Sequence, residues 1–265
     1  MDNAAQILLT NFAISAALFV LLWLASLPIK DPSFIDSWWA FGIVVLAWLT
    51  FAQIEAPSPH AWALAVLATA WGLRLGTYLF LRWRAHGRDR RYEKMMAGAR
   101  KARGWNYATA SLLLVFAIQL PLQFIVALPV QLGMLATSEA LGALAWGGVA
   151  LSVFGIGFEA IADAQLSAFK ADPTSTGKVM DRGLWRYSRH PNHFGDACAW
   201  WGMYLVAAET GLGAWSVFGP LLLTFLLTRV SGAPTLEPHL KRTRPEYEAY
   251  VMRTSSFIPL PPRRI

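Results

Sequence analysis

The chain has 265 residues, of which 55% are hydrophobic and 15% charged, with a formal net charge of +7. A soluble domain carries about a quarter charged residues, so this composition excludes an ordinary soluble enzyme and points to an integral membrane protein. One cysteine, Cys198, excludes an internal disulfide, and the placement of the basic residues speaks for membrane topology over a nucleic-acid surface.

Crossing a bilayer takes roughly 17 to 25 apolar residues as a helix. Runs of about this length lie at 7–29, 38–54, 61–81, 108–132, 141–162, 194–208 and 214–230. The first has no basic segment before it and no cleavage pattern after it, so it is expected to be a retained span and not a signal peptide. The last two are separated only by 209–213 and read as a tight hairpin. The expected fold is therefore an all-α, polytopic membrane protein with seven transmembrane helices. It forms a single domain over 1–265, with a peripheral first span, a core at 38–230 and a cytoplasmic tail at 231–265.

Basic residues concentrate in short cytoplasmic loops. With seven spans, every Lys and Arg falls on one side or at the inner end of a span, and the other side carries Asp2, Glu55, Glu139 and Glu209. The N-terminus is thus expected outside and the C-terminus inside. The inner segment 82–103 alone holds nine basic residues against Asp89 and Glu93. Such a belt serves topology and attraction to anionic lipid, or forms a bowl of cations for a phosphate-bearing ligand.

Polar residues inside or beside spans are the informative ones, because they are costly unless they face protein or a cavity. In the third span Arg74, Tyr78 and Arg82 recur at four-residue spacing and share a helix face. In the fifth, Glu159 and Asp163 do the same, with Lys170 two turns further on. Two readings stand: acids bonded to neighbouring arginines at a helix end, or acids that bind the sugar hydroxyls or amide of a nucleotide. The stretch Gly-Leu-Trp-Arg-Tyr-Ser-Arg-His-Pro-Asn-His-Phe-Gly-Asp at 183–196 opens the sixth span, and Pro191 suits a first helical turn. Asn192 and Asp196 share a face there. His190, His193 and His239 lack the spacing of a metal site, so no metal is expected. No Gly-x-Gly-x-x-Gly or Walker-type spacing occurs, which excludes a Rossmann-type or P-loop nucleotide site. The basic tail either lies on the membrane surface or folds back as a lid, bringing His239 and Arg229 inward.

The 183–196 stretch, preceded by Glu159-x-x-x-Asp163-x-Gln165 and followed by Tyr247-x-x-Tyr250-x-x-x-Thr254-Ser-Ser-Phe-Ile-Pro259, resembles the steroid 5-alpha-reductase C-terminal family. Bacterial members of uncharacterised substrate are the nearest in pattern, which implies a bacterial inner membrane. The likeness covers roughly 38–262 and is most specific in its second half. It implies a seven-helix fold that takes NADPH from the cytosolic side. The implied reaction reduces a carbon–carbon double bond conjugated to a ketone in a hydrophobic substrate arriving from the bilayer.

By that resemblance Asn192 and Asp196 hold the nicotinamide end, while Glu159, Asp163, Lys170, Arg74, Arg82 and Arg84 contact the cofactor. Arg186 and Arg189 lie nearer the phosphates, and Lys178, Tyr187, His190, Arg229 and His239 complete the cofactor set. Glu55 and Tyr78 are the implied catalytic residues. Trp71 stands where the steroid enzymes place a substrate-polarising Tyr, so the likeness extends to the cofactor more fully than to the substrate. Two alternatives remain. One is an S-adenosylmethionine-dependent methyltransferase of the isoprenylcysteine carboxyl methyltransferase type, holding its cofactor at Arg189-His190-Pro191; the other is a non-catalytic lipid-binding protein.

Overall fold

The computed structural model describes residues 2–135, 140–230 and 233–263, and its regular elements are helices. In order they are α1 (Asp2–Ile29), α2 (Ile35–Phe51), α3 (Pro59–His86), α4 (Arg90–Arg103), α5 (Tyr107–Ser111), α6 (Ala117–Val126), α7 (Leu128–Met134), α8 (Ala143–Ala171), α9 (Pro191–Ala208), α10 (Phe218–Phe225), α11 (Ala233–Thr243) and α12 (Tyr247–Arg253). Local chemistry sets the ends. Ser58 accepts from the Ala61 amide ahead of Pro59 to start α3, and Asn106 accepts from the Thr109 amide to start α5. Gly104, at φ +67°, ends α4 in a left-handed turn that a side chain disfavours.

Among the described residues, five helical rods are long and apolar enough to cross a membrane: Asn3–Ile29, Pro59–His86, Tyr107–Val126, Ala143–Ala171 and Gly213–Val230. The chain is a multi-pass integral membrane protein. The other two expected spans differ in kind. Helix α2 is apolar but has 17 residues, and α9 has 18 residues that open with Asn192, His193 and Asp196. The expected fourth span, 108–132, is interrupted: the rod Tyr107–Val126 contains a π turn at Leu112–Phe116, and a separate α7 begins at Leu128 with Pro129 in its first turn.

The main core packs α2, α3, α7 and α9 through Ile43, Leu46, Leu64, Ala68, Met134, Trp200 and Met203. Polar side chains pin the helices where no water can compete. Asn11 donates to Thr50 at 2.8 Å and to Gln131 at 3.0 Å. At the end of α9, Glu209 accepts from the amides of Gly142 at 2.8 Å and Ala145 at 3.2 Å, capping α8, and pairs with His60 at 2.8 Å.

The contact that places the functional residues is α8 against α9. Gly148, Ser152 and Gly155 on α8 meet Gly195, Ala199 and Gly202 on α9 with their backbones nearly touching. A Cβ on Gly195 would lie 2.6 Å from the Glu159 amide nitrogen, and one on Gly148 would lie 2.6 Å from the Gly202 carbonyl oxygen. Ser152 donates across the seam to the Ala199 carbonyl at 2.9 Å. Small residues allow this approach, and in a membrane it is close packing and such bonds that associate helices.

Candidate functional site

Because α8 and α9 run so close, Glu159 and Asp163 of one face Asn192 and Asp196 of the other, and α3 closes the third side with Arg74 and Trp71. Arg74 Nη1 lies 2.7 Å from Asp163 and Nη2 lies 2.5 Å from Glu159. The Asp163 contact is an aligned hydrogen bond; the Glu159 contact is not, so Glu159 Oε2 has no hydrogen bond. Asn192 donates through Nδ2 to Asp163 at 3.2 Å, and its Oδ1 is buried without a partner. Trp71 Nε1 donates to Asp196 at 2.9 Å and packs edge-on against Trp200. Glu159, Asp163 and Asp196 are buried, at 3%, 4% and 7% exposure.

Beside this centre an open groove of about 580 Å³ runs between α3 and α8, lined by Leu73, Arg74, Thr77, Tyr78 and Leu81 on one side and Ala160, Asp163, Ala164 and Ser167 on the other. Ser167 donates to the Tyr78 hydroxyl at 3.4 Å. Ser167 was not among the expected site residues, although its position four after Asp163 marks it as sharing that face. Arg82 and Lys170 are exposed beyond the groove, where α3 and α8 end, and both act electrostatically on Asp163. Arg84 is exposed on the last turns of α3.

The remaining expected residues lie elsewhere. Glu55 is exposed in the link before α3; Arg74 stands roughly 22 Å along that helix from its start, at 1.5 Å per residue. The geometry thus separates Glu55 from the buried centre. Arg189, expected near phosphates, and His190, expected in the cofactor set, turn instead to the tail. Arg189 Nε donates to Glu237 at 2.8 Å and Nη1 to the Thr254 carbonyl at 2.7 Å, while His190 Nε2 lies 3.2 Å from Glu237. Both are committed to Glu237 on α11, Arg189 by an ion pair and His190 by a hydrogen-bond contact, a role invisible in a linear sequence because the partner lies 48 residues away from Arg189. Arg186 lines a separate recess of about 280 Å³ with Asp181 and Arg253. Lys178, Tyr187 and Arg229 are exposed; the His239 side chain lies outside the described set. His190 and His193 stack ring on ring at 5.2 Å and 9°, so their in-plane lone pairs do not converge on one ion.

The 183–190 loop is sewn to both neighbours. Gly183, at φ +56°, lets the loop press against the Gln165 amide, and Leu184 N donates to Gln165 at 2.9 Å. Trp185 Nε1 donates to the Ala162 carbonyl at 3.0 Å. From the tail, the Tyr250 hydroxyl donates to the Trp185 carbonyl at 2.5 Å, Ser188 donates to Phe257 at 2.8 Å, and Arg189 N donates to Ser255 at 2.8 Å. Tyr250→Phe is expected to cost about 1 kcal/mol, the worth of one neutral hydrogen bond, read as a lower melting temperature.

Glu237 is the charged member of this latch. Burial works against its carboxylate, but hydrogen bonds from His190 and Arg189 outweigh it and hold the group down at about 2, below its ordinary 4.5. A depressed folded-state value means the contribution is complete above about 4.5 and lost as pH falls toward about 2. Protection factors for the amides over 237–243, corrected for the intrinsic exchange rate, are expected to hold down to pH 4.5 and to fall below it, and Glu237→Gln to remove that step.

A profile for a family described as a protein of unknown function, DUF1295, matches residues 22–254. The chain belongs to the DUF1295 family. Across 268 aligned positions this DUF1295 chain is 27% identical to an uncharacterized protein of Schizosaccharomyces pombe, C594.04c, over 90% of this chain and 75% of the relative. No solved structure matches it. The match includes all of Arg74, Glu159, Asp163, Asn192 and Asp196.

Proposed function

We propose that this protein is a membrane-embedded NADPH-dependent reductase of a double bond conjugated to a ketone in a hydrophobic substrate. One observation carries the reading: an Arg74–Asp163–Asn192 constellation, centred on the buried Asp163, at the edge of an open, largely apolar groove, with cations beyond it. The groove falls in the size range of cofactor sites, about 300–1,000 Å³. The unpartnered Asn192 Oδ1 is an acceptor suited to a carboxamide N–H, which a nicotinamide supplies. Arg82 and Lys170 suit phosphates, and the acids suit ribose hydroxyls. When bound, the cofactor supplies a hydride. The chain's own part is to hold the cofactor through Asn192 and Asp163 and to fix those groups through Arg74. The apolar lining, Leu73, Leu81, Ala160 and Ala164, excludes water and admits a lipid-like substrate from the bilayer.

The reading includes seven crossings, formed by the five long rods with α2 and α9, and a cytosolic face at the basic ends of α3 and α8. It inherits its reaction class from the resemblance to the steroid 5-alpha-reductase C-terminal family. Purified protein is expected to melt at a higher temperature with NADPH, and Asn192→Ala or Asp163→Ala to abolish the shift. No shift at millimolar NADPH sinks the proposal. One feature favours a methyltransferase instead: carboxylates outnumber the guanidinium in the centre, which suits the cationic sulfonium of S-adenosylmethionine. Parallel thermal titrations with the two cofactors separate the readings.

A further inference from the structure

Three buried carboxylates, on Glu159, Asp163 and Asp196, meet one guanidinium, on Arg74. Arg74 touches the first two, and Asp196 receives only the neutral N–H of Trp71. From α9 the facing groups are Asp196 itself and the neutral Asn192 amide. From the ends of α3 and α8 the other cations in reach, Arg82 and Lys170, are exposed to solvent. Fully ionised, the centre carries two negative charges more than Arg74 balances. An unpaired ion away from water costs several kcal/mol, and a carboxylate escapes that cost by taking a proton.

A second observation points the same way. Glu159 is 3% exposed, yet its Oε2 has no hydrogen bond even at 2.5 Å from Arg74 Nη2. That oxygen keeps a charge contact with Arg74 but no aligned donor, so Glu159 is paired by charge alone and Asp196 by a neutral N–H alone.

We propose that this centre stores one proton in the resting protein, carried by Glu159 or Asp196, and that it is the site's acid. The use of the proton rests on the reductase reading. Saturating an enone takes a hydride, supplied by the reduced nicotinamide, and a proton. The hydride's electron pair forms the new C–H bond at the β carbon. The carboxylic O–H bond breaks, its proton goes to the enolate α carbon, and the carboxylate left behind, held by Arg74 if it is Glu159 or by the Trp71 N–H if it is Asp196, takes up a proton again from water. The proton store itself needs no cofactor to be seen.

Infrared spectroscopy of the full chain at pH 8, in a detergent without carbonyl groups, tests it. One protonated-carboxyl C=O band per protein is expected. It should shift in heavy water, be lost in Glu159→Gln or in Asp196→Asn, and be retained in Asp36→Asn, which removes the half-buried acid bonded to Tyr92. Absence of the band in the wild type, its persistence in both centre variants, or its loss in Asp36→Asn overturns the proposal. The wild-type spectrum decides even if a variant fails to fold. A protein that shows the band but does not bind NADPH keeps the proton store and loses the reductase reading.

Discussion

Arg74→Ala is expected to cost about 3 kcal/mol of stability, near the lower end of the roughly 3–5 kcal/mol seen when one partner of a buried ion pair is removed. The lower end applies because the Arg74 side chain is 21% exposed, so some water reaches the gap. The physical cause is what the mutation leaves behind: Glu159 and Asp163, at 4% and 6% side-chain exposure, without their shared cation. Adding Glu159→Gln and Asp163→Asn to Arg74→Ala is therefore expected to restore much of the loss, because neutral amides carry no unbalanced charge. Thermal melts of the single and triple variants check this. A triple variant no more stable than Arg74→Ala contradicts an electrostatic centre and makes Arg74 a packing residue. On the reductase reading the restored triple variant still fails to bind NADPH, which separates stability from function.

Gly155→Ala is expected to destabilise by about 1–3 kcal/mol, the usual cost of overpacking a filled interface. Its new Cβ would collide with the backbone of Ala199 and lie 2.5 Å from the Gly195 carbonyl oxygen, and backbone cannot rotate away as a side chain can. Gly157→Ala, two residues along the same helix, meets nothing within 4 Å. It is expected to be neutral or to gain up to about 1 kcal/mol, the helix preference of Ala over Gly. The pair of variants holds composition constant and changes only the face. Parting α8 from α9 also lengthens the 3.2 Å bond between Asn192 and Asp163, so Gly155→Ala is expected to weaken NADPH binding where Gly157→Ala does not. Equal melting temperatures for the two overturn the account of the α8–α9 seam.

Much of the site was legible because it is helical. The four-residue spacings of Arg74 with Tyr78, Glu159 with Asp163, and Asn192 with Asp196 each name one face of one helix, and the structure turns those faces toward a common centre. The membrane class was legible for a similar reason, since long apolar runs have few other solutions in water or lipid. Spans at the margin were less so: α9 gives up apolar residues to Asn192, His193 and Asp196, and the run at 108–132 hides a break at Ala127 that hydropathy does not register.

The sequence by itself determined that this chain is helical and membrane-embedded, and that Arg74, Glu159, Asp163, Asn192 and Asp196 are among its polar exceptions, because hydrophobic length and helical periodicity are local properties. Only the tertiary structure decided which exceptions meet. It sent Arg189 and His190 to Glu237 and left Glu55 outside, while Trp71 came to Asp196 and one guanidinium was set among three acids. Those pairings join residues 47 to 125 positions apart, and they follow from how separate helices pack, as in the close approach of α8 and α9 through their glycines, a distance that no single helix contains.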